Sequence, residues 1–450
     1  MMMMMSSTPR SIADIMAEAK EKNVAQVRLQ FVDMHGVPKH MSIHVNHLEK
    51  ALENDLLLDG SSISGFRSIE TSDMAFWTDK DTFTVLPAQE GERVIARINC
   101  DIYNPDGTPF EGCPRNNLKR VLKEARDMGF IFNVGPELEF FLFKKDDNGK
   151  PTLEPHDTAG YYDLSPDDYG EQVRSEIVDY LLQLGFNMEA DHHEVAEGQH
   201  EIDFRYNDAL QQADNVTTVK IVTRTIAAKY GLHATFMPKP IFGINGSGMH
   251  CNMSLANLDG KNMFFDPNGQ HQLSKEAHSF VAGVLKHIRG ITAVTNPLVN
   301  SYKRLVPGYE APVYLAWSTA NRSALIRVPA KRGNGTRVEL RSPDPAANPY
   351  LAFAAILTAG LDGIKNNLQP PDTTQLNIYN LDEQERENHG IASLPGSLYE
   401  ALELFKGSEI ARKALGDHIF NEFVKAKTAE WDAFRTYVSP WETERYMARY

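Results

Sequence analysis

The chain has 450 residues, of which 42% are hydrophobic and 24% are charged, a composition typical of globular proteins and unlike that of a disordered or low-complexity chain. A chain of this length buries about 70–75% of its unfolded surface, so it needs neither a disulfide nor a metal merely to fold. Its 46 basic and 60 acidic residues give a formal net charge of −14. That charge opposes non-specific binding to nucleic acid or to an anionic membrane.

Cysteine usage and apolar runs bear on location. The three cysteines, Cys100, Cys113 and Cys251, are odd in number and fit no zinc-binding spacing. The apolar residues 1–5 form a run shorter than the core of a secretory signal. The longest nearly apolar run, at 350–361, is far short of the ~20 residues that a membrane span needs. We therefore predict a reduced, cytoplasmic protein with no membrane or nucleic-acid partner.

The first hundred residues predict a small α+β domain. Apolar residues at helical spacing predict a helix over 12–22. Alternating apolar residues predict strands, at 27–31, 37–45, 83–85 and 94–100. The turn-rich segment 104–109 then marks a boundary, so the first domain is predicted to cover 15–108.

The remainder, 109–450, is predicted to form one large α+β domain. Its first helix begins at Pro114 and is ended by Gly129, and no second linker follows. The stretch 431–450 is unusually rich in aromatic residues for a tail, so we expect it to dock on another surface.

Four short segments carry charge where a strand should be apolar. In the first, Glu137 and Glu139 alternate with Leu138 and Phe140, so on a strand the two carboxylates share one face. Adjacent carboxylates repel each other, and a strand keeps them together where a cation or a proton offsets the charge. A solvated strand face is the simpler interpretation of this segment taken alone.

The other three segments are each ambiguous when taken singly. Glu194 and Glu201 flank a Gly-Gln turn that could bring them together, or they lie on a polar surface loop. His250 shares a strand face with polar residues, although a lone histidine is more often structural. Glu339 lies between two arginines that could pair with it on the surface. Together, however, the four segments indicate an oxygen-rich site with a histidine, which suits Mg²⁺ or Mn²⁺ better than structural zinc.

Arginines beside such a site favour phosphate or carboxylate substrates. The chain has neither the Gly-x-x-x-x-Gly-Lys motif nor the Gly-x-Gly-x-x-Gly fingerprint. A reaction that uses ATP would therefore take place on a scaffold other than the P-loop or Rossmann fold.

From about residue 20 to the C-terminus, the chain resembles glutamine synthetase of the bacterial and archaeal class I type. The resemblance is carried in family order by several strings: Asp59-Gly60-Ser61-Ser62-Ile63, Gly135-Pro136-Glu137-Leu138-Glu139-Phe140, Pro307-Gly308-Tyr309-Glu310-Ala311-Pro312, Asn321-Arg322-Ser323 and Arg337-Val338-Glu339-Leu340-Arg341. It implies an α+β fold with a small N-terminal β-grasp-like domain. A large α+β catalytic domain would follow, with an antiparallel sheet that carries the metal ligands.

The activity implied is ATP-dependent joining of ammonia to the side-chain carboxylate of L-glutamate through γ-glutamyl phosphate. The resemblance also implies at least two divalent metals per site, Mg²⁺ or Mn²⁺. One metal would be held by Glu139, Glu194 and Glu201, and the other, on the ATP phosphates, by Glu137, His250 and Glu339.

Substrate contacts follow from the same resemblance. Asn245 and Gly246 would bind glutamate, and Glu189 and Ser254 would bind ATP. Four arginines would contact the phosphates, glutamate or both: Arg304, Arg322, Arg327 and Arg341. For any one arginine taken alone, a surface salt bridge is the simpler interpretation.

The resemblance assigns proton removal from ammonium to Asp59, with Ser62 beside it, on a loop that a neighbouring subunit supplies. Glu310, in a Pro- and Gly-containing flap, would close the site over glutamate and keep water from the acyl phosphate. The family forms two stacked six-membered rings, and the aromatic tail resembles the segment that docks into the facing ring.

The sequence differs from that of one family subgroup at the segment that is modified to regulate activity. Some members are adenylylated on a Tyr in an Asn-Leu-Tyr-Asp-Leu-Pro string, but 377–382 lacks the Pro, so we expect Tyr379 to be unmodified, as in the shorter subtype. Relatives of that subtype relay glutamine inhibition through an Arg whose matching position here is Ser68, with Arg67 one place early. Candidate regulators are 2-oxoglutarate and a nitrogen-sensing PII-like protein.

Three alternative functions differ in what they require. A sister ligase would join glutamate to a polyamine or another amine, but Asp59 and Glu310 favour ammonium. A non-catalytic member of the fold would usually lack metal ligands, and all six are present here. A metal-dependent hydrolase would use the six ligands but would leave the arginines unexplained.

Overall fold

The computed structural model describes residues 9–88, 91–307, 311–319, 321–374 and 378–450. Its helices are α1 (Ile12–Glu21), α2 (Leu48–Leu52), α3 (Pro114–Asp127), α4 (Glu171–Gln183), α5 (Ala209–Lys229), α6 (Lys275–Thr295), α7 (Ser301–Arg304), α8 (Pro349–Lys365), α9 (Glu383–Asn388), α10 (Leu398–Lys406), α11 (Glu409–Thr436) and α12 (Pro440–Tyr446). In the described part of the chain, none of these helices has the length and apolar character that a membrane span requires.

The strands form two sheets. They are β1 (Gln26–Val32), β2 (Pro38–His44), β3 (Leu57–Asp59), β4 (Asp73–Thr78), β5 (Thr84–Val85), β6 (Ile95–Tyr103), β7 (Phe130–Lys145), β8 (Pro151–Pro155), β9 (Met188–His193), β10 (Gln199–Phe204), β11 (Asn207–Asp208), β12 (Leu232–Thr235), β13 (Met249–Asn257), β14 (Trp317–Ser318), β15 (Ile326–Arg327) and β16 (Val338–Leu340).

The N-terminal sheet has the order β2-β1-β6-β4-β3, with β5 paired to β6. Alternate residues of β1, including Val27 and Leu29, are buried, as their spacing predicted. Their apolar face packs with Ile15 of α1 and Leu52 of α2. The predicted helix and the predicted strands of this region are confirmed, with bounds that differ by one to three residues.

The second sheet, of ten strands, contains many of the residues that the sequence analysis assigned to metals and substrates. Its main order is β14-β15-β16-β13-β7-β10-β9, and β8, β11 and β12 also pair with β7. On one face of β7, Leu138, Phe140 and Leu142 are fully buried against a helical layer that includes α5 and α8. On the opposite face, the two carboxylates Glu137 and Glu139 are followed by Phe141 and Phe143, which pack in a small separate apolar cluster.

Buried polar contacts join the two halves. Arg115 of α3 donates to Asp101 of β6 and to Asp214 of α5 at about 3.0 Å. Asn348 donates to the carbonyl oxygens of Asp33 and Met34, and its Cα lies 2.9 Å from where a Cβ on Gly36 would stand. Gly36 also has a φ of +80°, so this turn requires glycine on two grounds.

The predicted domain boundary between 108 and 109 lies in the connection from β6 to α3. Phe110 and Cys113, which follow that boundary, pack in the core of the N-terminal sheet. The position of the boundary stays a prediction.

Candidate active site

The polar face of the large sheet opens into a cavity of about 280 Å³, which we call the acidic cleft. Twelve side chains or backbone segments that were singled out from the sequence line it: Glu137, Glu139, Glu194, Glu201, Asn245, Gly246, His250, Arg304, Arg322, Arg327, Glu339 and Arg341. They come from five strands, the short helix α7 and four connecting segments, so the fold brings together residues that are about 200 positions apart.

Strand register explains how the carboxylates meet. Glu139 of β7 lies opposite Glu201 of β10. Glu137 lies between Asp203 of β10 and His250 of β13. Residues directly opposite on neighbouring antiparallel strands point to the same side of the sheet, so these five side chains converge on one face.

One group of three residues has the spacing of a metal site. The Nδ1 atom of His250 lies 3.2 Å from a Glu137 carboxylate oxygen and 3.9 Å from a Glu339 oxygen. Ligand atoms from the three residues all lie within 4.8 Å of one another. This is the set that the sequence assigned to the metal on the ATP phosphates.

A second group has the same spacing, with one difference from the predicted set. It contains Glu194 and Glu201, as expected, and His192, whose nitrogens lie 3.7 Å from Glu194 and 3.4 Å from Glu201. Glu139 faces the same cleft but accepts hydrogen bonds from Gln199 and from the Gly248 amide, at 3.0 and 2.8 Å. The sequence analysis missed His192, which the pairing of β9 with β10 places opposite Glu201.

Electrostatics of the cleft are dominated by like charges. Burial, followed by repulsion from Glu139, Glu137 and Glu194, raises the pKa of Glu201 well above its ordinary value. Burial and the charges of Glu201 and Glu137 raise the pKa of Asp203 to about 9. Burial acts in the same direction on Glu137, but hydrogen bonds from His250 and Asn252 outweigh it and lower its pKa.

These residues fit divalent cations. A buried set of carboxylates with raised pKa values is stabilised by protons or by cations, and oxygen ligands with one histidine suit Mg²⁺ or Mn²⁺. Among the described side chains, neither Glu201 nor Asp203 lies within ion-pairing distance of a lysine or arginine.

Arginines form another part of the cleft wall. Glu339 accepts from Arg327 at 2.6 Å and from Arg341 at 3.1 Å, so it joins the metal-type group to the basic wall. Arg304 is buried and donates to the carbonyl oxygens of Ser342 and Pro343, at 2.7 and 3.3 Å. Its contacts in this structure therefore fix the backbone that follows Arg341.

A second cavity, of about 320 Å³, adjoins the first, since Glu137 and Asp203 line both. Glu189 and Ser254, assigned to ATP from the sequence, line this second cavity. It also contains Tyr206, Lys331 and Asn334, which the sequence analysis missed, and Arg337, to which that analysis gave no role. The cavity therefore combines the exposed ring of Tyr206 with the cations Lys331 and Arg337, and it adjoins the acidic cleft. These features suit a nucleotide.

Two further aromatic residues, Tyr161 and Tyr162, were not found from the sequence. Their rings stack at 4.0 Å, and both meet the His192 ring edge-on. They lie in a long loop without a repeating pattern, so only the folded structure reveals their place in the cleft wall.

Asp59 and Ser62 lie outside both cavities, exposed on the small domain. Asp59 accepts hydrogen bonds from the amide and hydroxyl of Ser61, at 2.8 and 2.7 Å, which holds its pKa below the usual range. Glu310 lies outside the described residues, as does the side chain of Tyr379.

A buried cluster supports the hairpin of β9 and β10 from the side away from the cleft. We call its members, His156, Asp157, Asp168, Arg174, His193 and His200, the paired cluster. His193 contacts Asp157 at 3.0 Å and the Glu194 carbonyl oxygen at 2.6 Å. Asp157 also accepts from the Gly198 amide at 2.9 Å, so this pair fixes the backbone between Glu194 and Glu201.

Comparison with known proteins identifies the family to which the chain belongs. The family model described as the β-grasp domain of glutamine synthetase matches residues 23–105, and the model of its catalytic domain matches residues 111–446. The chain is 58% identical to the glutamine synthetase of Clostridium saccharobutylicum over 437 residues, which cover 97% of this chain and 98% of the relative. It is also 58% identical, with the same coverage, to glutamine synthetase of Staphylococcus aureus over 439 residues.

Solved structures give the same result for the fold. A GmaS complex with ADP superposes with a TM-score of 0.88 at 32% identity, over 97% of this chain and 99% of that chain. Glutamine synthetase of Plasmodium falciparum superposes with a TM-score of 0.87 at 28% identity, over 98% of this chain and the whole of that chain. The predicted fold class is therefore confirmed.

Proposed function

The chain belongs to the glutamine synthetase family, and we propose that the acidic cleft is the site at which it catalyses ATP-dependent ligation of ammonia to L-glutamate. The observation that carries the site assignment is the convergence of two metal-type groups and an arginine wall on one cavity. The alternative ligation of a polyamine is not favoured, since curated relatives at 58% identity are glutamine synthetases.

The enzyme uses ATP and divalent metals, as its family does. We assign one ion to Glu137, His250 and Glu339, and a second to Glu194 and Glu201 with Glu139 or His192. Ions held there would offset negative charge on the phosphates and on the reacting carboxylate. Whether the ions are Mg²⁺ or Mn²⁺ stays a proposal.

The arginine wall has a separate role. A carboxylate is a poor electrophile, so the side chain of glutamate is first phosphorylated to γ-glutamyl phosphate, which has a good leaving group. Arg322, Arg327 and Arg341 face the cavity where negative charge spreads over the transferred phosphoryl group, and donors fixed in advance stabilise that charge most. Asn245 and Gly246 would hold glutamate, and Glu189 and Ser254 would hold the nucleotide; the solved GmaS relative binds ADP.

Ammonium must lose a proton before it attacks the acyl phosphate. We assign removal of that proton to Asp59, with Ser62 beside it. Because both lie outside the cleft of their own chain, their loop would complete the cleft of a second copy. Glu310 would close that site over glutamate. Mixing an Asp59→Ala chain with a Glu201→Gln chain, each inactive alone, should restore part of the activity. A mixture that stays inactive after subunit exchange would contradict the shared site.

A site shared between two copies requires an oligomer, and we propose the two stacked hexameric rings that the family resemblance implies. Trp441, Tyr446 and Met447 of the last helix and tail are exposed in the single chain, at 59%, 43% and 77%. Deleting residues 438–450 should separate the rings, measured as a halving of particle mass, and a full-sized particle would contradict the proposal. Control by 2-oxoglutarate or a PII-like protein and a cytoplasmic location stay predictions from the sequence.

The activity itself is tested by measuring ADP and glutamine while glutamate or ammonium is omitted in turn. ADP release should require both, and small polyamines should not replace ammonium. Release with a polyamine alone would move the enzyme to the sister ligases. ADP release without either co-substrate would indicate a hydrolase.

A further inference from the structure

A third cavity, of about 500 Å³, lies where the two domains meet. None of its lining residues lines the acidic cleft or the adjoining cavity. Its walls come from the turn between β1 and β2, from α5, and from short segments around Phe236 and Pro345. The volume lies within the range of pockets that hold small molecules.

Two cations on α5, Lys220 and Arg224, line this cavity. They are four residues apart, so they lie on the same side of the helix, one turn from each other. The Lys220 ammonium contacts the Ala347 carbonyl oxygen at 3.4 Å, and the Arg224 guanidinium lies 5.7 Å from the centre of the Phe236 ring. Throughout the described ranges, neither takes part in an ion pair.

Two charged groups near Lys220 and Arg224 make other contacts. Lys229, on the same helix, forms an ion pair with Glu176 at 3.2 Å. Asp344, the carboxylate whose charge acts on Lys220, is buried and accepts from Asn296 and from the Ala346 amide, at 2.9 and 3.0 Å. Among the described residues, no carboxylate lies within ion-pairing distance of either Lys220 or Arg224, although the whole chain has a net charge of −14.

This arrangement has an energetic cost that an anion would remove. Like charges at i and i+4 of a helix destabilise it. Removal from water, with the nearby Arg224 charge, lowers the pKa of Lys220 to about 7. A bound anion would favour the charged ammonium and would offset the repulsion between the two side chains.

The remaining walls are mostly apolar and include Val37, Pro38, Met237 and Leu298. We propose that this cavity binds a small organic dianion, with its negative groups at Lys220 and Arg224 and its carbon skeleton against the apolar wall. The shared chemistry covers dicarboxylates and organic phosphates. Since residues of both domains line the cavity, such a ligand would bridge the domain junction.

The reactivity of Lys220 provides a direct test on the full-length, assembled protein. A lysine with a pKa near 7 carries much unprotonated amine at neutral pH, so it reacts with acetic anhydride faster than ordinary lysines do. We would measure the acetylation rate of each lysine by mass spectrometry with succinate, with glycerol 3-phosphate, or with chloride at equal ionic strength. No substrate is present, so the result is independent of the proposed activity.

We expect at least one of the two dianions to slow acetylation of Lys220 about tenfold at ten times its dissociation constant, relative to chloride. Lys229 serves as the internal reference and should be unaffected. Arg224→Met should abolish most of the protection, whereas the charge-conserving Arg224→Lys should retain part of it. Protection by only one probe would identify the class of ligand.

Three outcomes would overturn the proposal. The first is an equal rate of Lys220 acetylation with and without both dianions up to 20 mM, roughly the upper limit for a weak physiological site. The second is protection that Arg224→Met leaves unchanged. The third is a Lys220 that resists acetylation even in chloride, because a second copy of the chain would then cover the cavity.

Discussion

The acidic cleft and the paired cluster lie on opposite sides of the same β9–β10 hairpin. The carboxylates of the cluster have cationic partners, whereas Glu201 and Asp203 of the cleft lie among other carboxylates. In the paired cluster, Asp168 contacts Arg174 at 2.8 Å and Asp157 contacts His193 at 3.0 Å. Although burial opposes it, the His193 contact and the neighbouring imidazole hold the pKa of Asp157 at about 2. In the cleft, repulsion and burial raise the pKa of Glu201 instead.

The difference shows that proximity of ligand atoms is not enough to identify a metal site. His156, Asp157 and His200 also lie within metal-binding distance of one another. However, an Arg174 nitrogen lies 2.9 Å from His200 Nδ1, and an arginine can only donate. His200 Nδ1 must therefore accept, and the proton on Nε2 leaves no free nitrogen for a metal. The cleft differs because Glu201 and Asp203, among the described side chains, have no lysine or arginine partner.

The largest expected effect comes from neutralising one carboxylate of the cleft. Glu201→Gln should lower activity about 10²–10³-fold, the usual loss when one electrostatic contact to a transition state is removed. The same change should stabilise the metal-free protein by about 1 kcal/mol, because it relieves repulsion between like charges. Enzyme assays and urea unfolding with chelator measure both. Glu154→Gln, at an exposed strand position, is the matched control, and a destabilised Glu201→Gln would contradict this account.

Neutralising a carboxylate of the paired cluster should have the opposite effect on stability. Asp157→Asn leaves the buried His193 without its ion-pair partner and should destabilise the protein by about 3 kcal/mol. Urea unfolding under the same metal-free conditions measures the change. If Asp157→Asn and Glu201→Gln shifted the free energy of unfolding in the same direction, the contrast between the two regions would be wrong.

Titration with Mn²⁺ can test whether His192 is a metal ligand. If His192 belongs to the second metal group, His192→Gln should weaken Mn²⁺ binding and lower activity at limiting Mn²⁺ by about tenfold or more. Saturating Mn²⁺ should restore most of the activity. A loss of activity that metal concentration does not affect would assign His192 to the aromatic wall with Tyr161 and Tyr162 instead.

The smallest expected effect is a pH dependence of the metal-free protein. Asp203 has a folded pKa of about 9, above the unfolded value near 4, so the native state binds more protons between these pH values. The free energy of unfolding should therefore fall as pH rises through this window, and the share of Asp203 is at most about 1.4 kcal/mol per pH unit. Urea unfolding at pH 6, 7 and 8 measures the slope. Asp203→Asn should reduce the slope to the part that Glu201 contributes, and an unchanged slope in that variant would contradict the assignment.

Local patterns in the sequence were sufficient to predict much of the fold. The alternation around Leu138 placed Glu137 and Glu139 on one face because side-chain direction depends only on the strand period. His192 was missed because its place opposite Glu201 depends on how β9 and β10 are paired. Tyr161 and Tyr206 were missed because they lie outside the regular strands, where no period indicates their direction.

The two cations of the third cavity also could not be singled out from the sequence. Lys220 and Arg224 lie on a helix whose charged residues would ordinarily pair at the surface, as Lys229 does. The turn at Val37 and Pro38 of the small domain supplies the facing part of the cavity that both cations line, although Lys220 is only half-buried and Arg224 is exposed. Contacts between domains cannot be inferred from spacing within one helix.

The central claim is that the cleft holds two separate divalent ions in the two groups of ligands. Counting Mn²⁺ bound per chain by electron paramagnetic resonance tests it most directly. The account predicts two ions for the wild-type protein, one for Glu339→Gln, one for Glu201→Gln, and two for the Glu154→Gln control. An unchanged count of two in either cleft variant, or a wild-type protein that binds no Mn²⁺, would contradict it.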